Sequence, residues 1–320
     1  MADLDEGAAL RRVIPASATV RHWTAPDGWR LRVLDWPAAD GAAPRGALLV
    51  QGGRGDFIEK YLESLAHWNA RGWAIAAFDW RGQGGSGRTT PAPHVGHIED
   101  FATFIADLGA FWSDWSARTP KPHVAIGHSM GGHLVLRALV ERAIDPQAAV
   151  LVAPMLGLHA PIGPRFGERL ARVMARLGRP ERAAWKGNER PYTTVSRQSL
   201  LTGDSARYAD ELWWRGQDAT LDTGPPSWRW LTRAFASTRE LRDSPALAMT
   251  NTPVLMLVAE ADRLVDPAAA LQVAARLPDC RVVRFGAESA HEILREGDAV
   301  RTRALTEIDA FLSARAQAPV

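Results

Sequence analysis

Val124-Ala125-Ile126-Gly127-His128-Ser129-Met130-Gly131 is the stretch on which the fold of this chain turns. Three apolar residues of strand type lead into a glycine, and residues 130–142 behind them read as a helix. A serine between two such glycines, after a strand and before a helix, is the setting of a nucleophile elbow. The turn must be tight, so Gly127 and Gly131 keep Cβ atoms away from a strained backbone. The serine oxygen then stands at a helix N-terminus, where backbone N–H groups stabilise developing negative charge. The five-residue pattern alone is weak: a chain of this composition meets it roughly 0.1 times by chance. Its placement between strand and helix gives it weight.

A nucleophilic serine needs a base and an acid that orients the base, in the chain order serine, acid, histidine. Only His133, His159 and His291 follow Ser129. His133 lies one turn into the helix and faces away from the serine by its spacing. His159 comes before any suitable acid. His291, in Glu288-Ser289-Ala290-His291-Glu292, follows the last strand and is the expected base. Glu260, Asp262 and Asp266 follow the strand Val254–Ala259 and compete for the acid. Asp266 precedes Pro267 and looks like a helix cap. Asp262, on the loop, is favoured, with Asp266 in reserve. Met130 supplies one expected oxyanion N–H and Gly53, in Gln51-Gly52-Gly53-Arg54-Gly55 after the strand 47–50, the other. Arg54-Gly55-Asp56 spells an adhesion tripeptide but reads as part of that turn. Gly82-Gln83-Gly84-Gly85-Ser86-Gly87 satisfies a dinucleotide pattern, yet no helix opens behind it, because Pro91 and Pro93 follow.

Short apolar runs alternate with helical patterns on both sides of the elbow. Val20–Trp23 and Leu31–Trp36 flank a Pro-Asp-Gly turn and suggest a hairpin. Residues 57–70 and 101–112 show helical spacing, and Trp73–Phe78 and 148–153 read as buried strands. After 157–245, which contain no convincing strand, the alternation resumes with Val254–Ala259, 267–277, Val282–Phe285 and 298–313. The pattern predicts an α/β fold with a mostly parallel sheet covered on both faces. The expected division is an N-terminal core part over 1–156, a helical cap over 157–245 and a C-terminal core part over 246–320. Residues 146–164 carry no charge, but Pro154, Pro161 and two glycines interrupt them, so they read as a buried strand and loop rather than a membrane span.

Composition bounds the rest. The 320 residues are 46% hydrophobic and 23% charged with net charge +2, which excludes global disorder and gives no case for nucleic-acid binding. One cysteine, Cys280, excludes a disulfide framework and any multi-cysteine metal site. Lys60, Lys121 and Lys186 are the only lysines against 35 arginines, a bias ascribed to genomic base composition. Asp3, Asp5 and Glu6 precede Arg11 and Arg12 with no apolar stretch of signal-peptide length behind them. The expectation is a cytoplasmic protein.

Phe78-Asp79-Trp80-Arg81-Gly82-Gln83-Gly84-Gly85-Ser86-Gly87 resembles the Asp-x-Arg-Gly-x-Gly-x-Ser loop of the α/β-hydrolases. The chain is most similar to the bacterial lysophospholipase and monoacylglycerol lipase group, which includes serine aminopeptidase-like hydrolases. Further pieces run in order from about residue 47 to 312: Ile58-Glu59-Lys60-Tyr61, Pro93-His94-Val95-Gly96-His97, Ala153-Pro154-Met155, Ala261-Asp262-Arg263 and Ala290-His291-Glu292-Ile293-Leu294. The resemblance implies Ser129, Asp262 and His291 as the triad and raises Asp262 over Asp266. Many relatives carry His-Gly where this chain has Gln51-Gly52.

Within 165–177, Phe166, Leu170, Val173, Met174 and Leu177 share one helical face beside Arg165, Arg169, Arg172 and Arg176. Either this face packs on the core with its arginines in water, the favoured reading, or the helix lies on an anionic membrane surface. Trp185, Trp213, Trp214, Trp228 and Trp230 suit an acyl pocket, a lipid interface or core packing. The expected activity is hydrolysis of carboxylic esters of single-chain lipids, a lysophospholipid or monoacylglycerol, with no cofactor and no metal. Alternatives are a short-chain esterase, a peptidase using cap carboxylates such as Asp204, Asp210 or Glu211, and a non-catalytic ligand binder.

Overall fold

The computed structural model describes residues 10–38, 44–159, 163–185 and 195–317. Asp3, Asp5, Glu6, Pro161 and Lys186 lie outside the described residues, as does the side chain of Arg165. Eight strands form one sheet: β1 (Thr19–Thr24), β2 (Arg30–Trp36), β3 (Gly46–Gln51), β4 (Trp73–Phe78), β5 (His123–His128), β6 (Ala148–Val152), β7 (Val254–Ala259) and β8 (Cys280–Phe285), in the order β1-β2-β4-β3-β5-β6-β7-β8. β1 and β2 pair antiparallel and β2 runs antiparallel to β4. All later pairs are parallel. Every residue of β3, β5, β6 and β7 is buried, because helices cover both faces, and this is why these strands are apolar apart from Gln51, His123 and His128 at strand ends.

Alternate side chains of each strand enter two cores. Ala149 and Leu151 of β6 face a core shared with α2 (Ala102–Ser116), α3 (Met130–Val140) and α8 (Pro267–Ala274). Ala148, Val150 and Val152 face the other, packed by α1 (Leu62–Asn69) and α9 (Asp298–Arg315). The helical spacing over 57–70 opens as a 3-10 turn, Ile58–Tyr61, before α1 begins. The tighter turn lets Ile58, Glu59, Lys60 and Tyr61 all face inward.

Between β6 and β7 the chain passes through α4 (Pro164–Leu177), α5 (Val195–Leu201), α6 (Ser205–Gln217) and α7 (Trp228–Asp243). α7 contacts both α3 and α4. The expectation that the large apolar face of α4 packs on the core is not met. Phe166, Leu170, Val173, Met174 and Leu177 are exposed, and the buried positions are Ala171 and Ala175. Small side chains allow close helix approach, so the alanine face is the one that packs. Among the described residues no helix is long and apolar enough to cross a membrane.

The elbow depends on two close approaches. A Cβ at Gly131 would stand 2.4 Å from the Gly52 carbonyl, and one at Gly127 would stand 2.5 Å from the Gly131 carbonyl. No shift of a flexible side chain relieves contacts with backbone. Gly127→Ala and Gly131→Ala should each lose about 1–3 kcal/mol in chemical denaturation. Gly216→Ala, in α6 with open space around it, should be neutral or gain up to ~1 kcal/mol. Equal behaviour of the three variants would show that the elbow glycines are not sterically required.

Candidate active site

Ser129 sits between β5 and α3 with φ 52° and ψ −117°, a conformation that non-glycine residues rarely adopt. Its own backbone holds it there: Ser129 N–H donates to the Val152 carbonyl at 3.0 Å, and its carbonyl accepts from Met155 N–H at 2.9 Å. Met130 N–H belongs to the first turn of α3, which has no acceptor within the helix.

His291 and Asp262 come together from loops 29 residues apart in sequence. His291 Nδ1 lies 2.5 Å from Asp262 Oδ2, and the two side chains are almost fully buried. Asp262 Oδ1 accepts from Leu264 N–H at 2.7 Å and Val265 N–H at 3.1 Å, so the carboxylate is fixed by its own loop. Burial opposes its charge, but His291 and the two backbone donors outweigh burial and hold the carboxyl below its ordinary value. Burial likewise opposes an imidazolium at His291. Asp262, with Glu292 and Asp56, outweighs it and raises His291 above its ordinary value. Among the described residues no hydrogen bond joins Ser129 Oγ to His291; both line one cavity of about 390 Å³.

The remaining candidates take other roles. Asp266 caps α8, accepting from Ala268 N–H at 2.9 Å, with Pro267 behind it. Glu260 is exposed and pairs with Arg284. His133 is buried against α7, with Nε2 2.7 Å from Ser237 Oγ. His159 lies on the cavity wall. Gly53 adjoins the serine: a Cβ there would stand 2.9 Å from Ser129 Cβ. Its N–H, however, donates to Asp56 Oδ2 at 2.6 Å. An oxyanion can use this donor only by sharing it with Asp56 or displacing Asp56 from it. Arg54-Gly55-Asp56 is a turn, with Gly55 at φ 72° and Asp56 buried. The Gly-rich stretch 82–87 supports that turn: Gln83 Nε2 donates to the Gly53 carbonyl at 2.8 Å, and Gln83 Oε1 accepts from Gly55 N–H at 3.1 Å.

Sequence reasoning missed the charged groups behind these loops. Lys60, Asp56, Glu292, Glu211 and Arg295 form one buried cluster, brought together from positions up to 239 residues apart. A carboxylate next to His291 is visible in the sequence; its partners are not. The cavity is otherwise apolar and aromatic, with Trp185, Trp228, Trp230, Leu231 and Phe235 from the insertion, and Arg54, Arg197 and Arg263 on its wall. Trp213 and Trp214 pack on each other instead, beside Arg12 and Arg11. Among the described residues no group of three or more His, Cys, Asp or Glu is arranged to hold a metal ion.

A family model described as serine aminopeptidase, S33, matches residues 42–298. The chain belongs to this family of α/β-hydrolases. It is 30% identical over 271 residues to lysophospholipase L2 of Escherichia coli K12, covering 82% of this chain and 78% of that protein. It is 27% identical over 135 residues to a monoacylglycerol lipase of Mycolicibacterium smegmatis, covering 42% of this chain and 46% of that protein. A soluble variant of monoglyceride lipase from Saccharomyces cerevisiae, solved with a substrate analogue, shares the fold with a TM-score of 0.77 at 20% identity, over 95% of this chain and 98% of that one.

The buried histidines differ in a measurable way. Burial pushes His128 down to about 4, with the neighbouring His291 adding to the effect, and pushes His133 down to about 3, helped by Arg137 and Arg242. A proton-detected titration of the imidazole rings should therefore show His291 gaining its proton above pH ~6.5, while His128 and His133 stay neutral at pH 5. A protonated His133 at pH 5, or His291 titrating below 6, would contradict this electrostatic arrangement.

Proposed function

We propose that this protein is a serine hydrolase that cleaves carboxylic esters of single-chain lipids, lysophospholipids or monoacylglycerols. The observation that carries the reading is one cavity in which Ser129 and the Asp262-bound His291 meet an apolar, tryptophan-lined wall. His291 takes the Ser129 proton as Oγ attacks the ester carbonyl, and Asp262 stabilises the imidazolium that forms. Met130 and Gly53 N–H groups receive the oxyanion, Gly53 by sharing its N–H with Asp56 or taking it over. His291 returns the proton to the departing alcohol. Water then adds to the acyl-enzyme with His291 again as base, and the fatty acid leaves.

Residues 157–245 act as the cap over this cavity in our reading. Trp185, Trp228 and Leu170 give the acyl chain apolar walls, and Arg54, Arg197 and Arg263 suit a phosphate-bearing head group. A peptidase would need a carboxylate for the substrate ammonium. Asp204 is paired with Arg207, Asp210 with Arg11 and Arg12, and Glu211 with Lys60 and Arg215. Asp56 and Glu292, which do line the cavity, are held by Lys60 and Arg295. This favours an ester over an amino-terminal peptide.

The exposed apolar face of α4, flanked by Arg169, Arg172 and Arg176 and continuous with the cavity through Leu170, suits peripheral contact with an anionic membrane. Combined Phe166→Ser, Val173→Ser and Leu177→Ser should lower co-sedimentation with anionic phospholipid vesicles several-fold while hydrolysis of a soluble ester persists. Unchanged vesicle binding would remove α4 from the membrane contact.

Fatty-acid release from lysophospholipids, monoacylglycerols, short esters and aminoacyl amides tests the activity itself. Long-chain single-acyl lipids should lead, and Ser129→Ala should lower turnover by roughly 10⁴–10⁶-fold. A loss below tenfold would take Ser129 out of the mechanism, and preference for short esters or amides would overturn the account of the cap.

A further inference from the structure

The Lys60 side chain is 1% exposed, and its ammonium group donates hydrogen bonds to Asp56 and Glu292 and forms an ion pair with Glu211. Asp56 Oδ1 lies at 2.5 Å, Glu292 Oε1 at 2.7 Å and Glu211 Oε2 at 2.9 Å. Each belongs to a different part of the site. Asp56 closes the loop whose Gly53 N–H it holds, Glu292 is bonded in sequence to His291, and Glu211 comes from α6 of the insertion. The remaining oxygens are also taken. Tyr61 OH donates to Asp56 Oδ2 at 2.6 Å, Arg295 to Glu292 Oε2 at 2.5 Å, and Arg215 to Glu211 Oε1 at 2.8 Å. Three anions thus face three cations, Lys60, Arg295 and Arg215, in a buried cluster that Asp222 extends at Arg215 and Arg197 at Glu211.

Stability alone is a poor reason for such a cluster. Well-packed apolar side chains of the same volume commonly serve a core equally well. What an apolar replacement would not supply is directional bonds from one atom to two catalytic loops. We propose that Lys60 is a positioning residue of the hydrolytic site, holding the Gly53 loop and the His291 loop in register through Asp56 and Glu292. This rests on the reading of Ser129 and His291 given above.

The geometry has an electrostatic consequence that a purely structural role lacks. The groups facing His291 are Asp262 after β7, His128 at the end of β5, Asp56 after β3 and Glu292 on its own loop. Asp56 and Glu292 favour an imidazolium, and Lys60 is the cation bound to both. Removing the lysine charge leaves the two anions less compensated and should make His291 more basic. Neutralising Glu292 should do the reverse.

The test is the pH dependence of Ser129 modification by a fluorophosphonate in the full-length protein. In that reaction the Ser129 Oγ–phosphorus bond forms, fluoride leaves and His291 takes the serine proton. It needs no lipid substrate. Labelling of the wild type should rise with pH along a limb set by deprotonation of His291. Glu292→Gln should move that limb down by about half a pH unit or more, and Lys60→Met should move it up. Lys60→Arg keeps the charge but not the compact three-way geometry, so its limb should stay while labelling slows at least tenfold. If Lys60→Met does not fold, Glu292→Gln and Lys60→Arg decide. An unmoved limb in Glu292→Gln, shifts of the same sign in Glu292→Gln and Lys60→Met, or wild-type labelling rates in Lys60→Arg would overturn the proposal. A wild type that is not labelled at Ser129 at all would instead sink the reading of the site beneath it.

Discussion

The distance between the start of α3 and the end of β3 governs the site. Gly131 approaches the Gly52 carbonyl so closely that no Cβ fits between them, and Gly127 leaves the same room beneath Gly131. Because the helix begins that near the sheet, the chain must reverse over a single residue. Ser129 takes up the reversal with a positive φ. Its strain is held by hydrogen bonds to Val152 and Met155, so the neighbouring strand stabilises a conformation that Ser129 would not adopt alone. The same closeness puts Gly53 beside the serine and Met130 N–H at the head of α3.

Around this fixed point the other groups arrive on loops at the C-terminal ends of parallel strands, and loops need restraint. Asp262 is restrained locally, by Leu264 and Val265. The Gly53 turn is restrained by Gln83 on one side and by Asp56 on the other. His291 is restrained from two directions, by Asp262 at its ring and by the Glu292–Lys60–Arg295 cluster behind its backbone. The Asp56 contact has a second effect. It satisfies the Gly53 N–H in the absence of an oxyanion, which lowers the penalty of a buried unpaired donor but places a competitor at the donor.

Much of this was legible because it is local. Strand–glycine–serine–glycine–helix, the cap at Asp266 and the hairpin around Gly28 are each written within a few residues, and the structure has them where the pattern puts them. Order along the chain brought His291 and Asp262 forward as a pair, and they lie in contact. The buried cluster was not legible, since no pattern in one sequence ties Lys60 to Glu292 across 232 positions. The packing of α4 departs from its sequence pattern for a physical reason. Apolar periodicity locates an amphipathic face but not what covers it, and here the two alanines pack while the large side chains meet solvent.

In this mechanism the strained serine takes the acyl group of a single-chain lipid. The decisive measurement is a crystal structure of the protein after reaction with a long-chain alkyl phosphonate bearing a good leaving group. Phosphorus should be bonded to Ser129 Oγ, with a phosphonyl oxygen within hydrogen-bond distance of Met130 and Gly53 N–H. The alkyl chain should run between Trp185, Trp228 and Leu170. An adduct on another residue, or a chain directed away from the insertion, would contradict it.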